Sequence, residues 1–128
     1  MRTVIIIGIG GFLGANTRYW ISGWALAHFT RFLNWPLPYG TIFVNLTGSF
    51  GLALFVAYAL KRTPFSNDVR LLVATGFFGA YTTFSTYALE SLILMREGSV
   101  PAALANILLT NGLCLLGAAL GLWFGTLL

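Results

Sequence analysis

The sequence contains very few charged residues. They make up 8% of its 128 residues, with seven Lys and Arg and three Asp and Glu, whereas 58% of the residues are hydrophobic. A soluble domain has about 25% charged residues. The shortage of charge excludes an ordinary soluble surface. The few basic residues are scattered along the chain, which excludes a nucleic-acid-binding patch. A surface in contact with membrane lipid explains this composition.

Cysteine, histidine and acidic residues are also scarce, which limits the possible chemistry. Cys114 and His28 are the single residues of their types, so a disulfide within the chain and a Cys/His metal site are both excluded. The sequence offers no combination of nucleophile, base and orienting residue, and Glu90 has no acidic partner. We therefore expect a protein that is not an enzyme.

Long apolar runs fill most of the chain. A bilayer core requires about 20 apolar residues in helical form, and the runs that meet this length lie at about 4–27, 40–60, 69–95 and 100–127. Turn-forming residues such as Pro36, Pro38, Pro64 and Gly98 lie between them. We therefore predict a single all-α membrane domain over residues 1–128, with four transmembrane helices per subunit.

Basic residues are distributed unequally between the two ends of this predicted bundle. An even number of spans places both termini on one side of the membrane, and that side carries Arg2, Lys61, Arg62 and Arg70. The other side carries only Arg31 and Arg96. The positive-inside rule makes the termini cytoplasmic, but a difference this small also permits insertion in both orientations.

Four helices leave little room for a pathway through their own centre, so we expect a homo-oligomer. Small residues allow helices to approach closely at such a contact. The glycines predicted to serve there are Gly8, Gly11, Gly14, Gly48, Gly51, Gly117, Gly121 and Gly125.

Polar side chains inside the predicted spans require a partner or a function. Arg18, in the first span, either anchors a helix end by reaching the interface beside Tyr19 and Trp20 or attracts an anion. In the second span, Thr41 and Asn45 share one helix face. One interpretation is that these side chains form hydrogen bonds to a neighbouring helix. The alternative is that the amide N–H of Asn45 donates to an anion in a pore.

The third predicted span contains the densest polar stretch. Threonines and glycines between residues 75 and 86 form a poor continuous helix, so we predict a broken third helix, with the break near Gly79 to Thr83. Non-helical backbone at membrane depth persists only where protein or water covers it. Carbonyl groups freed by the break can bind a cation.

Aromatic and polar residues follow this predicted break on the same helix. Phe84 and Tyr87 share a face, and Ser85, Thr86 and Glu90 continue a polar line. In the fourth span, the polar residues Asn106, Thr110 and Asn111 either complete this polar track or bond to neighbouring helices.

Three segments resemble the Fluc (CrcB) family of fluoride channels. Residues 75–87, Thr-Gly-Phe-Phe-Gly-Ala-Tyr-Thr-Thr-Phe-Ser-Thr-Tyr, closely resemble the third-helix signature of that family. Residues 40–45, Gly-Thr-Ile-Phe-Val-Asn, resemble its second-helix motif, and residues 14–19, Gly-Ala-Asn-Thr-Arg-Tyr, its first-helix motif. The similarity extends over all four predicted spans.

The resemblance implies an antiparallel, dual-topology homodimer with two fluoride pathways along the dimer interface. It also implies one structural sodium ion (Na+) on the two-fold axis, bound by the backbone carbonyls of Gly79 and Thr82 from both subunits. The implied pathway residues are Asn45 with its neighbour Thr41, Phe84, Ser85, Thr86, Tyr87, Glu90 and Thr110. The family usually has phenylalanine where this chain has Tyr87, and we expect the added hydroxyl to hold fluoride longer.

The function implied by the resemblance is passive, fluoride-selective conduction that exports cytoplasmic fluoride across the cell inner membrane. Two alternatives remain open. A small proton-coupled multidrug exporter of dual topology needs a central membrane carboxylate, for which only Glu90 is available. A non-transporting scaffold subunit needs an apolar face for a foreign partner, which the polar third span disfavours.

Overall fold

The structure is a computed structural model that describes residues 1–61 and 65–128, and its described residues form helices joined by short turns. Helix α1 comprises Arg2–Thr30 and helix α2 comprises Tyr39–Lys61. The next helical pieces are α3 (Asn67–Arg70), a π-helical segment (Leu71–Phe78), α4 (Gly79–Tyr81), α5 (Phe84–Arg96) and α6 (Val100–Leu127). The predicted all-α class is confirmed for these residues. Arg62 and Pro64 of the predicted second loop lie outside them.

Three helices of the described chain, α1, α2 and α6, are long and apolar enough to cross a membrane. They contain the first, second and fourth predicted spans, and α6 has the same limits as the fourth. The third predicted span, residues 69–95, is not one continuous helix. After α4 ends, Thr82 and Thr83 adopt extended backbone, with φ/ψ of −86°/158° and −150°/106°, and α5 then begins. Four crossings per chain therefore stay a prediction.

Contacts at the two ends of the bundle show how far each segment extends. At one end, Arg2 of α1 forms an ion pair with Asp68 of α3, and Lys61 of α2 donates to the carbonyl of Thr126 in α6. At the other end, a hydrophobic core joins the α1–α2 turn to α5 and α6 through Leu37, Tyr39, Leu94, Ala102 and Ala103. Residues 67–96 thus run the full length of the bundle, as α1, α2 and α6 do.

The turn between α5 and α6 depends on a glycine. Gly98 has φ of +78°, a left-handed conformation that disfavours side chains. This conformation lets Gly98 N–H donate to Met95 O at 3.1 Å and Ser99 N–H donate to Leu94 O at 2.9 Å. The chain therefore closes the end of α5 and enters α6 with its backbone groups paired.

Close helix packing uses glycines inside one chain. Helix α2 packs most extensively with α6, and a Cβ added at Gly117, Gly121 or Gly125 would meet atoms of α2. The prediction that these glycines form an oligomer contact is wrong, because α2 of the same chain already occupies the space beside them. The prediction is also wrong for Gly14, Gly48 and Gly51, because a Cβ at each of them would meet residues 77–82 of the same chain. A Cβ at Gly8 or Gly11 would have no atom within 4 Å.

Large apolar side chains cover the outside of the chain. On the long apolar helices α1 and α6, four such side chains are each at least 69% exposed: Phe12, Trp20, Leu108 and Leu115. Apolar surface of this extent is typical of a membrane or protein contact. Together with the three long apolar helices, it identifies a membrane protein.

Candidate functional site

The extended backbone at Thr82 and Thr83 is stabilised by hydrogen bonds that replace those of a helix. Thr83 N–H, which in a continuous helix would donate to Gly79 O, donates instead to Asn45 Oδ1 at 2.7 Å. Asn45 Nδ2 in turn donates to Thr83 O at 3.1 Å. Asn45 therefore binds both backbone groups of Thr83 and fixes the position of the interruption.

Thr83 also caps the helix that follows. Its Oγ1 accepts from Thr86 N–H at 3.3 Å, the amide that would pair with Thr82 O in a continuous helix. The carbonyl groups of Gly79 and Thr82 have therefore lost their helical partners to Asn45 and Thr83. These are the two carbonyls that the family resemblance assigns to sodium.

Two open clefts lie on either side of the extended residues. We call the first the Tyr87 cleft, which is lined by Asn45, Gly48, Ser49, Leu52, Thr82, Phe84, Tyr87, Thr110, Asn111 and Cys114. We call the second the Arg18 cleft, which is lined by Ala15, Arg18, Tyr19, Ser22, Gly23, Thr41, Val44, Thr83 and Thr86. Successive side chains of extended backbone point to opposite sides, so Thr82 lines one cleft and Thr83 the other.

The two pathway aromatics predicted from the sequence differ in burial. Tyr87 is buried at 7% exposure, whereas Phe84 is 75% exposed at the surface of the chain. Their ring centres lie 5.3 Å apart with an interplanar angle of 59°. The rings are thus in contact on one helix face, as expected, in a tilted arrangement.

Helix α6 holds the hydroxyl of Tyr87. Asn111 Nδ2 lies 2.7 Å from the phenol oxygen of Tyr87 and 2.7 Å from Ile107 O. The sequence indicates Asn111 only as a polar residue of the fourth span. Its contact with Tyr87 joins residues that are 24 positions apart, so it depends on the packing of α5 against α6 and leaves no local signal.

Thr110 belongs to a buried chain of hydrogen bonds. Thr110 Oγ1 donates to Asn106 Oδ1 at 3.1 Å, and the fully buried Asn106 donates through Nδ2 to Ser91 Oγ at 2.9 Å. Ser91 Oγ donates to Tyr87 O at 2.8 Å. A hydroxyl has one proton, so Thr110 lines the Tyr87 cleft with its proton already used inside the protein.

Arg18 lies in a cleft with hydroxyl groups rather than at a helix end. It is partly exposed, and the ion pair in the described part of the chain, Arg2 with Asp68, does not involve it. In the same cleft, Thr83 Oγ1 donates to Thr86 Oγ1 at 2.8 Å. Arg18 thus shares a cleft with threonine hydroxyls, and its two predicted roles, anchoring a helix and attracting an anion, stay predictions.

Glu90 and Ser85 are predicted pathway residues that line neither of the two clefts. Thr41 Oγ1 donates to Glu90 Oε1 at 2.9 Å, while Glu90 Oε2 is buried without a hydrogen-bond partner among the described residues. Ser85 is exposed and lies outside the linings of both clefts, with its Oγ 3.4 Å from Thr83 Oγ1.

Thr83 is the site residue that sequence reasoning missed. It lines the Arg18 cleft, caps α5 and pairs with Asn45 through both of its backbone groups, donating with N–H and accepting with its carbonyl oxygen. A threonine directly before a helical stretch is a recognised capping signal, and this signal could have identified it. Its pairing with Asn45, 38 residues away, could not be read from local sequence.

Comparison with known proteins connects this geometry to one family. The family model described as "CrcB-like protein, Camphor Resistance (CrcB)" matches residues 5–122. A relative named fluoride-specific ion channel FluC, from Methylobacterium radiotolerans, is 44% identical over 121 residues, which cover 93% of this chain and 81% of the relative. A second protein of that name, from Koribacter versatilis, is 40% identical over 121 residues, which cover 94% of this chain and 92% of the relative.

These matches confirm the family resemblance seen in the sequence. The relatives are named as ion channels, a class of proteins without enzymatic activity. They do not favour the proton-coupled exporter.

Proposed function

Because the chain belongs to the CrcB family, we propose that it is a fluoride-selective ion channel of the cell inner membrane. Fluoride moves through it passively, down its electrochemical gradient. Hydrogen fluoride crosses membranes uncharged and ionises in the more neutral cytoplasm, where the anion is trapped. The inside-negative membrane potential then drives fluoride outward through the channel.

The observation that carries this proposal is the pair of clefts on either side of Thr82 and Thr83, in which a few polar side chains lie on a mainly apolar lining. Fluoride is small and strongly hydrated, so a narrow pathway must replace its water with hydrogen-bond donors. One N–H of the Asn45 amide donates to Thr83 O, which leaves the second N–H for an anion in the Tyr87 cleft. The ring edges of Phe84 and Tyr87 add partial positive charge. Chloride is larger and is excluded by width.

Arg18 supplies positive charge at the second cleft. Its guanidinium keeps its charge at any physiological pH, and a charged cleft with low-dielectric walls concentrates ions of the opposite sign. The hydroxyls of Thr83 and Thr86 line the same cleft. We therefore assign Arg18 the role of attracting fluoride toward the polar residues beside the interruption.

A second copy of the chain completes the pathway in the proposed working unit. Phe84, Ser85 and Thr86 are all exposed on the single chain, and polar groups left facing lipid are costly. We propose an antiparallel homodimer of dual topology, in which each chain crosses the membrane four times. Residues 67–96 form the third crossing, a helix broken at Thr82 and Thr83, and the small difference in basic residues between the two ends is compatible with both orientations.

The carbonyls of Gly79 and Thr82 fit a sodium ion at the centre of this dimer. Their helical amide partners donate to Asn45 and Thr83 instead, and Gly79 lies at the exposed surface where a second copy can meet it. Each chain offers these two oxygens, fewer than a hard cation takes, and two chains offer twice that number. A sodium ion held by these oxygens would offset the negative ends of their carbonyl dipoles.

Ion flux from liposomes tests the proposed function. Liposomes containing the purified protein should release fluoride rapidly, and matched liposomes loaded with chloride should retain it. Replacement of the exposed Phe84 by Ile should slow fluoride release by at least tenfold if the ring edge binds the anion. Chloride release as fast as fluoride release would contradict selective conduction.

Phe12→Ile is the matched control for the aromatic ring. Phe12 is 69% exposed on α1 and lines neither of the two described clefts, so its replacement should leave fluoride release unchanged. Equal rates in the parent, Phe12→Ile and Phe84→Ile proteins would exclude Phe84 from the pathway.

A further inference from the structure

The direction of the hydrogen bond between Asn111 and Tyr87 follows from a third group. One terminal atom of the Asn111 side chain lies 2.7 Å from Ile107 O. A carbonyl oxygen can only accept, so this atom is the amide nitrogen, Nδ2. The same Nδ2 lies 2.7 Å from the Tyr87 phenol oxygen. Asn111 therefore donates, Tyr87 accepts, and the phenol proton points elsewhere.

The Tyr87 cleft is the place where this proton can be used. Among the described residues, no hydrogen bond takes the proton of the Tyr87 hydroxyl, although the side chain is buried at 7% exposure and lines the cleft. Thr110 donates its only proton to Asn106, so the Tyr87 O–H joins the second Asn45 N–H as a donor left for the cleft. A hydroxyl that accepts a hydrogen bond is polarised and donates more strongly in turn.

We propose that Tyr87 and Asn111 together form a fluoride-binding site in the Tyr87 cleft. Tyr87 donates its O–H to the anion, and Asn111 is a positioning residue that holds the phenol oxygen and leaves the proton free for the cleft. This inference rests on the proposed channel function and goes beyond it, because the phenylalanine that the family resemblance implies at this position has no hydroxyl. The site lowers the fluoride concentration at which flux saturates and slows the exit of the bound ion.

The fluoride dependence of flux separates binding from conduction. Initial efflux is measured over a series of fluoride concentrations for the parent, Tyr87→Phe, Asn111→Leu and the double variant. The half-saturating fluoride concentration should rise roughly tenfold in each single variant, because each removes the oriented hydrogen bond to a charged ligand. The maximal rate should stay the same or increase. In the double variant, Asn111→Leu should add nothing to Tyr87→Phe, because Asn111 acts only through the phenol oxygen.

Asn16→Leu is the matched control for the loss of an asparagine. Asn16 Nδ2 donates to Phe12 O at 2.7 Å, the same bond to the preceding helical turn that Asn111 makes to Ile107 O. Because Asn16 lines neither of the described clefts, the half-saturating fluoride concentration of the Asn16→Leu protein should equal that of the parent. A rise equal to that of Asn111→Leu would overturn the positioning role.

Each remaining outcome decides one of the two proposals. A parent protein that releases no fluoride overturns the channel function itself. Fluoride release with an unchanged half-saturating concentration in Tyr87→Phe overturns the binding site and leaves the channel function standing. If Asn111→Leu does not fold, Asn111→Asp replaces it, because the carboxylate accepts the Tyr87 proton and should weaken binding more in the parent than in the Tyr87→Phe background. An equal effect in both backgrounds overturns the pairing.

Discussion

Asn45 and Thr83 form a reciprocal pair of hydrogen bonds, with Thr83 N–H donating to Asn45 Oδ1 at 2.7 Å and Asn45 Nδ2 donating to Thr83 O at 3.1 Å. Both bonds are buried. A side-chain amide has the same donor and acceptor as a peptide group, so both backbone groups of Thr83 stay paired where the chain leaves the helix. This pair places Thr82 in one cleft and Thr83 in the other.

Replacement of Asn45 by Asp should disrupt this pair. The new carboxylate can accept from Thr83 N–H but cannot donate to Thr83 O, which leaves two oxygens facing each other. We expect a loss of about 1–3 kcal/mol of stability and slow fluoride efflux. Thermal unfolding in detergent and liposome flux measure the two effects. Asn16→Asp, at an exposed helical asparagine, is the control, and an Asn45→Asp protein as stable and active as the parent would refute the role of the pair.

Thr110 should matter for stability more than for fluoride binding. Its proton is donated to Asn106 Oδ1, so Thr110→Val leaves a buried acceptor unpaired and should cost about 1–3 kcal/mol. Thr110→Ser keeps the hydroxyl and should resemble the parent. Thermal unfolding and half-saturating fluoride are measured together. Weaker fluoride binding by Thr110→Val at unchanged stability would show that the hydroxyl faces the anion instead, in the pathway position that the family resemblance implies.

Arg18→Gln should reduce fluoride efflux most strongly at low ionic strength. The charge of Arg18 acts on the anion across an open cleft, and salt at 0.1 M screens such interactions beyond about 10 Å. We expect a several-fold loss at low salt that shrinks as inert salt is added. Arg31→Gln, at the end of α1 and outside both clefts, is the control. The same loss at all salt concentrations would point to a structural role for Arg18.

Sodium should stabilise the proposed dimer. If the carbonyls of Gly79 and Thr82 bind the ion from both chains, the thermal midpoint should rise with sodium concentration and fall when choline replaces sodium at equal ionic strength. Size-exclusion chromatography in detergent follows the dimer in parallel. A thermal midpoint that depends on ionic strength alone, with choline as effective as sodium, would exclude a specific sodium site at these carbonyls.

Local sequence predicted those features that depend on neighbouring residues. Apolar run length indicates where α1, α2 and α6 lie, because a helix that spans the bilayer core needs about 20 apolar residues. Threonines and glycines between residues 75 and 86 indicate weak helix formation near Thr82, where the structure has extended backbone. The family signature of residues 75–87 is equally local, which is why the CrcB family could be named from the sequence.

Only the tertiary structure decided which polar groups bind one another. Asn45 meets Thr83 across 38 residues, Tyr87 meets Asn111 across 24, and Thr41 meets Glu90 across 49. The contact with Asn111 leaves the Tyr87 proton free, whereas the Thr110 proton is committed within α6 itself, to Asn106 four residues earlier. Helix formation follows from residues within one turn of each other, whereas the supply of free donors depends on how separate helices pack. The sequence by itself therefore determined the helices and the family, and the packing of α2, α5 and α6 decided which atoms remain to bind an anion.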